Sequence, residues 1–157
     1  MPTKRIRVLI VEDSEPTAFL IRTAFELRHE HVDWDLCFAK DGEEALDCIF
    51  QKGIHAEAAL PDFVMLDWNL PKVSGREVLR MLKSNDELRA LPVLVFSSSK
   101  EDHDVSEAYK AHANGYISKP SDLDELLAII QNIEIFWVHT ARLPPKRSAG
   151  NKNIASS

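Results

Sequence analysis

Apolar residues along this chain follow two alternating rhythms, and the alternation repeats five times. Four short runs, Val8-Leu-Ile-Val11, Phe63-Val-Met-Leu66, Val93-Leu-Val-Phe96 and Gly115-Tyr-Ile117, have the density of strands buried on both faces of a parallel sheet. The first of these strands is predicted from about Arg5 to Val11. From His31 to Ala39 the pattern differs: Val32, Trp34, Leu36 and Phe38 alternate with other residues, the period of a half-exposed strand at a sheet edge.

Between the strands, apolar positions return at helical spacing. Phe19, Leu20, Ala24, Phe25 and Leu27 give one face of a helix reaching about Arg28, with Pro16 suited to its first turn. Asp41-Gly42-Glu43-Glu44 opens a second helix to about Lys52, its acids at the positive end of the macrodipole. Gly53 to Pro61 reads as a loop. Further helices are predicted over Gly75 to Lys83 and Glu101 to Ala111, the latter ended by Asn114-Gly115 in a left-handed conformation. Ser121 with Asp124 is expected to cap a last helix running to about Val138. Pro144-Pro145 stops regular structure, and Lys146 to Ser157 reads as a disordered, mildly basic tail.

Strands joined through helices imply right-handed crossovers. The expected fold class is therefore α/β, a doubly wound five-stranded parallel sheet in the order 2-1-3-4-5. A length of 157 residues fits one such domain, placed at 1–138, with 139–157 as an extension. A net charge of −6 argues against non-specific nucleic-acid binding, which needs clustered cations. Cys37 and Cys48 offer no disulfide framework or metal spacing. The six histidines form no pair on a common face. Val8 to Val11 is too short for a secretory signal, and no run approaches the roughly 18 apolar residues of a membrane span. A cytoplasmic chain without membrane contact is expected.

The chemistry lies where the buried strands stop. They end at Glu12-Asp13, Asp67, Ser97 and Lys119. In an open α/β sheet the strand C-termini share one edge, and ligands bind in the crevice outside it. Three carboxylates brought together repel one another unless a proton or cation intervenes. An oxygen-only cluster suits Mg²⁺, which keeps several waters and leaves a face for a phosphoryl oxygen. Lys119 can pair with the same phosphate, Ser97 can donate its hydroxyl, and Asp67 at the centre is a credible nucleophile.

Val11-Glu-Asp-Ser14, Leu66-Asp67-Trp-Asn-Leu-Pro71, Gly75, Ser97 and Lys119-Pro120 resemble the receiver domain of bacterial two-component response regulators, a flavodoxin-like fold. The resemblance covers about residues 5 to 137. It implies that Asp67 accepts a phosphoryl group from the histidine of a sensor kinase. Glu12 and Asp13 would hold Mg²⁺, Asp13 most directly, with the Asn69 backbone carbonyl as a further ligand. Lys119 would pair with the phosphate and precede a cis peptide bond to Pro120. Ser97 and Tyr116 would form the switch pair, Tyr116 turning inward as Ser97 turns to the phosphate. Ser98 departs from the family, where alanine or another small residue is usual. Asn69 and Ser99 occupy positions that influence phosphate lifetime in such receivers.

A narrower resemblance lies at the chain's end. Ile133-Glu-Ile-Phe-Trp-Val-His-Thr140 and Leu143-Pro144, with Leu70 to Leu79, resemble stand-alone regulators paired with bacterial phytochromes. A phytochrome-type histidine kinase is the implied partner. The last helix carries two neighbouring apolar stripes: Leu126, Ile129, Ile133 and Phe136, and Leu123, Leu127, Ile130 and Trp137. One stripe suffices for the core, so a homodimer interface is expected at Ile129, Ile133, Phe136 and Trp137.

Three other readings compete. An aspartate-nucleophile phosphatase needs an acid two residues after the nucleophile, where this chain has Asn69, and a cap domain over its substrate. A degenerate receiver acting as a phosphorylation-independent binding module would lack some of the motif residues. A transcription factor needs a DNA-binding domain, and about 19 residues follow Val138, too few for one.

Overall fold

The computed structural model describes residues 4–30 and 32–145. Its elements are β1 (Lys4–Val11), α1 (Glu15–Glu26), β2 (Val32–Ala39), α2 (Gly42–Ile49), β3 (Phe63–Leu66), α3 (Gly75–Lys83), β4 (Val93–Ser97), α4 (Asp102–Lys110), β5 (Gly115–Ser118) and α5 (Leu123–Ile133). A single 3₁₀ turn (Gly53–His55) lies in the loop before β3, and a π-helical segment (Glu134–Thr140) continues α5. The five strands form one sheet in the order β2-β1-β3-β4-β5, all pairs parallel, as the alternation of patterns predicted.

Each strand feeds two cores because successive side chains point to opposite faces. On one face Ile6, Val8, Ile10, Phe63 and Met65 meet Ile21, Ala24 and Phe25 of α1 and Leu126, Ile130 and Ile133 of α5. On the other, Leu9, Val11, Val64, Leu66 and Val95 meet α2, α3 and α4. The apolar alternation of β2 is that of an edge strand: Trp34, Leu36 and Phe38 pack partly on the α1–α5 side.

Several local expectations need correction. The helix after β4 does not end at Asn114-Gly115; His112 takes the left-handed conformation, with φ 74°. The Asn114 side chain is used instead as an anchor, its Oδ1 accepting from Val93 N–H (2.8 Å) and Lys83 Nζ (3.1 Å). The second helix stops at Ile49, short of Lys52, because Gln51 turns to φ 56°. Asp122, not Ser121, caps α5: its Oδ1 accepts from Glu125 N–H, and Glu125 returns a carboxylate to Ser121 N–H. No cis peptide bond occurs among the described residues, so the Lys119–Pro120 bond is trans, the form favoured by about 0.5–1 kcal/mol before proline.

The last helix reaches Thr140, but its winding changes at Glu134. The wider π turn moves Ile135 and Phe136 out to solvent and brings Trp137 in against Phe63, ring centroids 4.8 Å apart. Glu134 is buried there and paired with Arg28 at 3.1 Å, which ties the segment to the residue two past α1. Beyond it, Leu143 packs on the α1–α5 core. His31 and the basic stretch 146–157 lie outside the described residues. No helix among the described residues is long and apolar enough to cross a membrane.

Candidate functional site

Backbone hydrogen bonds carry the parallel ladder just past the strand ends, at the residues that matter. Glu12 N–H donates to Ala39 O (2.9 Å), Asp67 N–H to Val11 O (3.0 Å) and Lys119 N–H to Ser97 O (2.8 Å). The loops therefore leave the sheet from fixed points, and their side chains converge. Lys119 Nζ lies 3.1 Å from Asp67 Oδ2 and 2.7 Å from Glu12 Oε1. Glu12, Asp13 and Asp67 each present a carboxylate oxygen within 4.8 Å of the others. Glu12 and Asp67 are buried, Asp13 is exposed, and Ser97, at the end of β4, is fully buried.

Charge at the cluster is set by burial and by the one ammonium it contains. Burial pushes the Glu12 carboxyl up to about 7, against the pull of Lys119 and with the help of the Asp67 charge. For Lys119, burial opposes the charge, but Glu12 and Asp67 outweigh it and hold the ammonium above its ordinary range. One ammonium thus faces three acids. Buried Glu12 Oε1 meets Lys119 Nζ at 2.7 Å as an ion pair and gains no well-aligned hydrogen bond. A hard divalent cation fits this donor set: carboxylate oxygens only, one of them open to water.

The neighbouring loops hold Asp67 in place. Asn69 N–H donates to Asp67 Oδ1 (3.2 Å), and Gly75 N–H to Trp68 O (3.1 Å), closing the loop between β3 and α3. A Cβ on Gly75 would stand 2.2 Å from Asp67 O, so only glycine admits this approach. Trp68 is buried, with the Arg76 guanidinium 5.9 Å from its ring centroid; Arg76 also pairs with Glu107 of α4 at 3.0 Å. Across the crevice, Ser97 Oγ accepts from Ser99 N–H (3.2 Å), and the Tyr116 hydroxyl donates to Ser99 O (2.8 Å). Ser97 and Tyr116 therefore meet through the backbone of one residue, with the Tyr116 ring packed partly on the core.

Sequence reasoning placed these residues at strand ends but missed two supports. Lys72 takes φ 64° and pairs with the buried Asp41 at 3.5 Å, joining the loop after Asp67 to the start of α2. Asp104 of α4 bonds Ser99. Neither has a periodic or motif signal. The Asp41 carboxyl sits below the ordinary carboxylate range, first because it caps Glu44 N–H and then because Lys72 is near. Its ionised form therefore stabilises the fold above the unfolded value of about 3.9, and that contribution disappears as pH falls through the lower folded value. Unfolding titrations should show wild type more stable than Asp41→Asn near neutrality, the gap closing in acid. A gap independent of pH would contradict the role of the ionised carboxylate.

Of the four residues expected at a subunit interface, Ile133 is buried in the chain's own core. Ile129 and Trp137 are half-buried against that core, and Phe136 is exposed. All four line a groove of about 360 Å³ with Leu94, Asn114, Ile117 and Asn132.

Comparison with known proteins agrees with this geometry. Residues 8–131 match the family model described as the response regulator receiver domain. The chain belongs to that family. Receivers bind a divalent metal, and the acidic cluster of this one has the matching donors. Among its relatives, this receiver is 36% identical over 137 residues to response regulator Rcp1 of Synechocystis sp., covering 87% of this chain and 92% of Rcp1. The Mn²⁺-bound Rcp1 crystal structure superposes with a TM-score of 0.81, covering 89% of this chain and 99% of that one. The phosphorylated cyanobacterial phytochrome response regulator RcpA gives 0.84 at 39% identity, covering 90% and 99%. Response regulator RPA3017, from red light signaling of R. palustris, gives 0.82 at 31% identity, with the same coverage.

Proposed function

We propose that this receiver takes a phosphoryl group onto Asp67 from the phosphohistidine of a phytochrome-type sensor kinase, in a Mg²⁺-dependent step. The observation that carries the reading is the meeting of Lys119 Nζ with both Asp67 Oδ2 and Glu12 Oε1 beside Asp13. An Asp67 carboxylate oxygen forms the new O–P bond as the P–N bond to the kinase imidazole breaks. The electron pair passes to the ring nitrogen, which takes up a proton. Mg²⁺ held by Glu12, Asp13, Asp67 and the Asn69 carbonyl would neutralise charge on the phosphoryl oxygens. Lys119 supplies a second positive charge, and the Ser97 hydroxyl, whose oxygen already accepts from Ser99 N–H, keeps its proton to donate. Such catalysis is positioning and charge stabilisation. Hydrolysis of the acyl phosphate resets the domain, so the only reaction it catalyses is on itself, and it works in the cytoplasm.

The phytochrome pairing is supported by the likeness to RcpA and RPA3017. Phosphotransfer tests it. A phytochrome-type kinase, first phosphorylated on its histidine, should label the wild-type receiver within seconds when Mg²⁺ is present. The Asp67→Asn protein should stay at background. Equal transfer to Asp67→Asn would remove the acceptor assignment, and equally fast transfer from unrelated kinases would remove the pairing.

The receiver is also proposed to act as a homodimer. The apolar groove beside the exposed Ile135 and Phe136 supports this, since aromatic side chains are enriched in subunit contacts. Sedimentation should give a dimer at micromolar concentration that Phe136→Glu converts to a monomer. A wild-type monomer at high micromolar concentration, with and without a phosphate analogue, would end this reading.

A further inference from the structure

The turn between β4 and α4 gathers its hydrogen bonds on Ser99. Its N–H donates to Ser97 Oγ at 3.2 Å, and its carbonyl accepts from the Tyr116 hydroxyl at 2.8 Å. Its own hydroxyl accepts from Glu101 N–H at 3.3 Å and donates to Asp104 Oδ2 at 2.5 Å. The last bond is charge-assisted and short, the strongest kind available to a serine. Asp104 lies in the first turn of α4 and is partly buried.

We propose that Asp104 is a positioning residue for phosphorylation, acting through Ser99. The inference rests on the reading of Asp67 as acceptor. A serine hydroxyl has one proton, and here Asp104 takes it. With its side chain fixed, Ser99 holds its N–H on Ser97 and its carbonyl on Tyr116. The Ser97 oxygen is thereby satisfied as an acceptor, and its proton remains for a phosphoryl oxygen. The same peptide segment carries the Tyr116 bond, so α4 fixes the two groups together. Without the Asp104 carboxylate, the Ser99 hydroxyl loses its acceptor, and only the long 3.3 Å bond from Glu101 N–H still ties it to the start of α4. Ser97 and Tyr116 then lose their common anchor.

A double-mutant cycle tests this, with acetyl phosphate as donor and Mg²⁺ present. Asp104→Ala and Ser99→Ala should each slow phosphorylation about five-fold, the ratio carried by one hydrogen bond of ordinary net strength. The double variant should be no slower than either, and Asp104→Asn, which keeps an acceptor, should recover most of the rate. In the unphosphorylated protein labelled with fluorotyrosine, the fluorine signal of Tyr116 should move in Asp104→Ala toward that of the exposed Tyr109. Unfolding midpoints identify any variant that has simply lost its fold. Losses that multiply to about 25-fold in the double variant would overturn the proposal, because independent sites add in free energy. So would an Asp104→Ala protein with wild-type rate and an unmoved Tyr116 signal. If the wild type takes up no phosphate, the acceptor reading fails by itself, and the fluorine signal alone decides the coupling: movement supports it and constancy overturns it.

Discussion

Replacing Gly75 by alanine is expected to cost about 3 kcal/mol of stability and to slow the proposed phosphorylation of Asp67 by about 100-fold. The added Cβ would lie 2.2 Å from Asp67 O and 2.8 Å from both Trp68 Cα and Trp68 O. All three contacts are with backbone, which cannot rotate away as a flexible side chain can. Either α3 withdraws and breaks the bond from Gly75 N–H to Trp68 O, or the Asp67 peptide itself shifts. A shift on the order of 1 Å at Asp67 is enough for the rate loss. Denaturant unfolding and labelling with a small phosphodonor measure the two effects. Wild-type values for both would mean that the β3–α3 junction is looser than described.

The second large effect is expected far from the crevice. Arg28→Ala should lose about 3 kcal/mol, because it strands the Glu134 carboxylate, whose side chain is only 3% exposed. The other side chain near the Glu134 carboxylate is the His139 imidazole, 3.5 Å away and half exposed. The pair is imperfect, since Arg28 Nε and Glu134 Oε1 both lack hydrogen-bond partners. An apolar pair, Arg28→Met with Glu134→Met, should therefore regain most of the loss or exceed the wild type. Calorimetry on the single and double variants separates these outcomes. An Arg28→Ala protein within about 0.5 kcal/mol of wild type, the range of ordinary surface substitutions, would contradict the burial of Glu134.

The sheet and the crevice were legible in the sequence because both depend on local chemistry. Val8 to Val11, Phe63 to Leu66 and Val93 to Phe96 can only be satisfied between two helical layers, and the first polar residue after each run marks the edge. The helix caps were harder. Ser121 and Asp122 both have capping side chains, and the choice of Asp122 depends on which one faces Glu125. Asn114 has the composition of a left-handed cap, yet its amide serves Val93 and Lys83, contacts 21 and 31 residues away. The two stripes of the last helix assumed constant winding, and the π turn at Glu134 re-aims every residue after it. Asp104 and Lys72 act on the crevice from positions with no repeating pattern, so only the folded chain reveals them.

Signalling through this receiver, as proposed, requires that Asp67 carry the phosphoryl group among Glu12, Asp13 and Lys119. The direct measurement is chemical trapping after labelling with acetyl phosphate and Mg²⁺, using borohydride to reduce the acyl phosphate to an alcohol. Mass spectrometry should then find homoserine at position 67, in an amount matching the phosphate taken up. Reduction at Asp13 or Asp41, or undiminished trapping in Asp67→Asn, would contradict the account.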